Sequence, residues 1–95
     1  MIQHIVMFKL KEKTPAQSAH LKQILEALPP KIKEIQKMEV GIDVIHSERS
    51  MDVVLNVHLE SLEALKIYSE HPEHQKVVAW IKENVELIKA VDFES

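Results

Sequence analysis

The chain has 95 residues, with 12 Lys and Arg against 15 Asp and Glu for a net charge of −3. That length makes one domain, residues 1–95, which buries only about 60 to 65% of its unfolded surface, so the core is thin and a partner subunit would help it. The basic residues are scattered among acidic ones, which argues against a nucleic-acid partner. Cysteine is absent, so disulfide and thiolate–metal readings fall away. No basic leader with an apolar segment opens the sequence, and no apolar run approaches the eighteen or so residues that cross a bilayer. The expectation is a soluble, cytoplasmic protein with no membrane partner.

Ile2 to Leu10 alternates as a strand, with Ile2, His4, Val6, Phe8 and Leu10 on one face and Ile5 and Met7 opposite. Thr14-Pro15-Ala16-Gln17 has the form of a capping box with proline at N1. Leu21, Ile24, Leu25 and Leu28 follow at helical spacing until Pro29-Pro30. Met38 to Ile45 alternates again, His46 to Ser50 is polar, and Met51 to Glu60 sets Met51, Val53, Leu55, Val57 and Leu59 on one face, which predicts a hairpin. Ser61 caps a short helix carrying Leu62, Leu65 and Tyr68. Pro72 restarts a helix over Val77, Val78, Ile81 and Val85, and Leu87 to Glu94 returns to a strand pattern. The order βαββαβ predicts an α+β, ferredoxin-like fold, a four-stranded antiparallel sheet with both helical segments on one face.

One sheet face is then left bare, yet strand one is apolar on both sides and Val54, Ile88, Ala90, Val91 and Phe93 add apolar residues between the two faces, tempered by the polar Asp52, Asn56 and His58. A homodimer with sheets packed face to face, a dimeric α/β barrel, is the economical expectation.

Tyr68-Ser-Glu-His71-Pro72-Glu-His74 places a phenol and two imidazoles around a helix start. Proline at N1 puts His71 at the N-cap and His74 at N3, beside a positive helix end that disfavours the imidazolium. A neutral histidine there can accept or relay a proton. Capping and packing explain the same residues without chemistry: Tyr68 follows Leu65 at helical spacing, and Asp92 alternates with Ile88 and Ala90. Zinc sites want three converging protein ligands, which His71, His74 and their glutamates do not promise, so no metal is expected. Trp80, Val77 and Ile81 read as core or interface, and His20, His46 and His58 as solvated surface.

Met-Ile-x-His-Ile-Val-x-Phe-Lys-Leu at the start, Val40-Gly41-Ile42-Asp43-Val44 with Ser47-Glu48-Arg49-Ser50, and Ser61-Leu62-Glu63-Ala64-Leu65 through Tyr68 carry a resemblance, with His71-Pro72-x-His74 and Val91-Asp92-Phe93. In that order and separation these blocks resemble the stress-responsive A/B barrel domain family over nearly the full length. The resemblance implies a dimeric barrel with a pocket in each subunit between helices and sheet. Residues at that pocket are expected to include His4, His71, Val6, Phe8, Leu55, Ile88 and Ala90.

One plant branch of the family closes a linear poly-β-keto thioester into olivetolic acid without metal or organic cofactor. By resemblance, His74 is the base, Tyr68 the hydroxyl partner and Asp92 the carboxylate that orients the histidine. An aliphatic Val53 stands where that branch has histidine, and the aromatic lining on its first helix thins here to Leu21 and neighbours. Three classes of function follow: a cofactor-independent cyclase or lyase acting on a carbonyl compound, a binder of a small apolar or aromatic ligand, or a structural stress-associated oligomer.

Overall fold

The computed structural model describes residues 1–95 in the order β1 (Ile2–Leu10), α1 (Pro15–Glu26), β2 (Ile35–Ile42), β3 (Val53–Leu59), α2 (Leu62–Glu70), α3 (Pro72–Asn84) and β4 (Val85–Glu94). The strands pair antiparallel in one four-stranded sheet of order β2-β3-β1-β4. This is the ferredoxin-like arrangement, with the second helical segment divided at His71.

The alternation of β1 decides which side is core. Ile2, Val6, Phe8 and Leu10 are buried, and β3 presents Val53, Leu55, Val57 and Leu59 to the same side. Leu21 and Leu25 of α1, Tyr68 of α2, and Val77 and Ile81 of α3 close over them. Each such aliphatic side chain removed from water stabilises the fold by about 1.5–3 kcal/mol. Val6, Phe8 and Leu55, expected at a pocket, are therefore packed core residues, 7%, 3% and 2% exposed.

The helix starts are capped by the side chains the sequence offers. Thr14 Oγ1 accepts from the Gln17 N–H at 3.2 Å, and Ser61 Oγ from the Ala64 N–H at 3.1 Å. The reciprocal capping-box bond, from the Thr14 N–H to Gln17 Oε1, is not formed, and the Gln17 Nε2–H donates to Asn84 Oδ1 at 3.3 Å. Val85, read as the last apolar residue of the helix, begins β4 with extended backbone.

The first strand of the hairpin is displaced from its hydrophobic pattern by three residues towards the N-terminus. β2 runs from Ile35 to Ile42 rather than Met38 to Ile45, and Val44 and Ile45 are 81% and 73% exposed in the loop. Two contacts of Asp43 stop the strand. Its N–H donates to Asp52 O at 2.9 Å, and its Oδ2 accepts from the His46 N–H at 2.6 Å, turning the chain through a left-handed His46 with φ 59°. Asp52 holds the other end, its Oδ2 accepting from the Leu10 N–H at 2.7 Å.

Opposite the helices, Ile5, Met7, Val54, Val91 and Phe93 share the bare sheet face by register. Met7, Val54, Val91 and Phe93 are 38–52% exposed. β4 is exposed on its other side too: Ile88, Ala90 and Asp92 lie on the helix-facing side of the sheet, beyond the reach of the helical layer.

Candidate functional site

His71 serves two helices at once. With φ −62° and ψ 136° it ends α2 and caps α3, its Nδ1 accepting from the Glu73 N–H at 3.1 Å. That bond gives His71 a capping role. The sharp step at Pro72 then swings His74 back over α2, where its Nδ1–H donates to the Ser69 carbonyl at 3.1 Å. The neutral ring so oriented carries its lone pair on Nε2. Burial holds the His74 pKa below its ordinary value and outweighs the hydrogen bond to the Ser69 carbonyl, which acts the other way, while the nearby His4 and His71 rings add smaller lowering effects.

Tyr68 lies between two imidazoles. Its ring centroid is 4.5 Å from that of His74 and 6.0 Å from that of His4, edge-on to the latter. The residue is wholly buried, and its Oη finds no hydrogen-bond partner. Burial raises its pKa above the ordinary phenol value, so at neutral pH the group is a donor, not a phenolate. An unpaired buried hydroxyl costs roughly 1–3 kcal/mol, which makes this atom the most conspicuous polar feature of the interior.

The carboxylate arrives from the far end of the chain. His4 and Asp92 are opposite one another in the β1–β4 register, and His4 Nδ1–H donates to Asp92 Oδ1. Asp92 thus orients His4, whereas the resemblance implied that it orients His74. The orienting group of His74 is a backbone carbonyl, which no side-chain pattern in the sequence announces. His4 is 17% exposed and Asp92 41%, so the cluster reaches solvent along β4, where Ile88 and Ala90 adjoin it.

The structure therefore brings His4, Tyr68, His74 and Asp92 to one side of the sheet, with His71 holding the helix start. None of the four main cavities is lined by these five residues. One concavity lies between α1 and α3 and includes His20, whose ring centroid is 5.0 Å from that of Trp80. His20 is exposed, in keeping with its reading as a surface residue, and has the Trp80 ring beside it. The others adjoin the β2–β3 loop.

Sheet order, register and the histidine–tyrosine cluster beneath the α2–α3 step define a small ferredoxin-like α+β protein with titratable side chains on the helical side of its sheet. The chain belongs to the stress responsive A/B barrel domain family, whose model matches residues 2–95. It is 30% identical over 86 residues to an uncharacterized protein of Streptomyces coelicolor, covering 87% of this chain and 89% of that one. Among solved structures it is similar to a dimeric protein of unknown function with a ferredoxin-like fold from Bacteroides fragilis, at 33% identity and TM-score 0.86 over 99% and 95% of the two chains. A dimeric ferredoxin-like protein of unknown function from Thermobifida fusca matches at 26% identity and TM-score 0.87, over 99% and 90%. The hydroxynitrile lyase of Passiflora edulis shares the fold, at 13% identity and TM-score 0.83, over 97% and 90%.

Proposed function

We propose that the protein is a homodimer in which each subunit uses His74 and Tyr68 for cofactor-independent proton transfer on a small carbonyl compound, in an aldol, cyclase or lyase type of reaction. The observation that carries this reading is the buried, unpartnered Tyr68 hydroxyl between the rings of His4 and His74. His74 Nε2 takes a proton from a carbon flanked by two carbonyls, and Tyr68 O–H donates to the enolate oxygen that develops. The enolate carbon then attacks a second carbonyl, and the imidazolium returns its proton to the new alkoxide. His4, steadied by Asp92, lies on the other flank of the phenol at a ring-centroid distance of 6.0 Å and supplies a further donor or acceptor at Nε2.

Dimeric relatives and the apolar residues on the bare sheet face support the two-subunit assembly. The fold also serves a hydroxynitrile lyase, so it accommodates lyase chemistry without dictating it here.

A thermal-shift screen with β-dicarbonyl and aromatic carbonyl compounds tests this reading. Binding raises the melting temperature by mass action. With a compound that turns over, His74→Ala and Tyr68→Phe each lower kcat by about 10²–10⁴. Unchanged turnover in both folded variants would overturn the acid–base assignment. A second reading is a ligand-binding or structural role for the same rings, favoured by the position of the four main cavities away from them. It predicts a loss of folding stability in His74→Ala, no such loss in Tyr68→Phe, which removes only an unpaired hydroxyl, and no substrate found.

A further inference from the structure

The only tryptophan of the chain, Trp80, stands apart from the His–Tyr cluster. It lines a groove of about 240 Å³ where α1 and α3 lie side by side without packing closely. The walls come from the helical layer and the turn after α1, so the groove opens on the side opposite the bare sheet face. A sheet-to-sheet dimer leaves it accessible.

Three features fix the chemistry it suits. Ile24, Leu28 and Val77 give an apolar floor. Trp80, with His20 tilted 48° against it, gives an aromatic wall. At the mouth the ammonium groups of Lys31 and Lys76 converge on one carboxylate, at 3.5 Å and 2.9 Å from the two oxygens of Glu73. Two cations sharing one anion leave a positive charge in excess beside an apolar slot.

We propose that this groove binds a small aromatic carboxylate, with its ring against Trp80 and its carboxylate drawn to Lys31 and Lys76. The volume admits a single ring with a short acid side chain. A neutral aromatic forgoes the cationic mouth, and a free anion without a ring forgoes the floor. The proposal is independent of any reaction at Tyr68 and His74.

Because Trp80 is the only tryptophan, its fluorescence reads this groove alone. Titration with phenylacetate is expected to give a saturable change with a Kd of millimolar order, the range open to a ligand of so few atoms. Phenylacetamide, the neutral counterpart, and acetate, the ringless one, bind more weakly. Glu73→Gln frees both lysines and tightens phenylacetate binding about two- to fivefold. Lys31→Gln combined with Lys76→Gln weakens it by a similar factor. Both lysines are largely exposed, 53% and 72%, so that variant keeps its fold. A response that does not saturate, equal binding of the amide, or weaker binding in Glu73→Gln overturns the proposal.

Discussion

His74 is where the sequence and the tertiary structure act on the same atom. Its place at N3 of a proline-started helix was readable, and the depression of its pKa follows from burial, which outweighs the opposing Ser69 hydrogen bond, with smaller contributions from the neighbouring imidazoles. The folded state therefore resists a proton that the unfolded chain accepts near its ordinary value of 6.5. Above that value His74 has no effect on the pH dependence of stability. As pH falls through 6.5 towards the lower folded pKa, the unfolded chain gains the proton first and stability declines, the full penalty being present below the folded pKa. Melting temperatures recorded between about pH 7.5 and 5.5 check this. The decline should be shallower in His74→Asn, which keeps a donor towards the Ser69 carbonyl and cannot titrate. An equal slope in wild type and variant would assign the effect to another group. Glu73 shows the opposite case, a carboxyl held low chiefly by its hydrogen bond from Lys76.

At the scale of elements, the caps and alternations were legible because they are local. Thr14 and Ser61 sit one residue before their helices and satisfy N–H groups that have no partner within the helix. Replacing either by alanine should cost about 1 kcal/mol in urea denaturation, with the m-value unchanged. A cost near zero would mean that water replaces the cap without penalty. The end of β2 was not legible, because Val44 and Ile45 continue the apolar pattern. The strand stops where Asp43 closes the ladder on Asp52 and turns the chain at His46. The bond from the Gln17 amide to Asn84, 67 residues away, was likewise not legible, because no local pattern announces so distant a partner.

For the molecule as a whole, the consequential feature is the two-sided exposure of β4. Val91 and Phe93 lie on the bare face, 52% and 41% exposed, while Ile88 is 48% exposed on the other. A small domain with so much apolar sheet in water gains from a second copy. Light scattering at micromolar concentration is expected to give a dimer, and Val91→Lys, which sets a charge on the bare face, is expected to give a monomer with a lower melting temperature. A wild-type monomer would remove the dimer from the functional reading. What the sequence determined alone was the order of the elements, the face each turns to the core and the clustering of Tyr68, His71 and His74, since period and capping depend on near neighbours. Only the tertiary structure decided that Asp92 serves His4, that a backbone carbonyl orients His74 and that Tyr68 is left without a partner. Those outcomes depend on strand register and on the angle at Pro72, which bring together groups up to 88 residues apart.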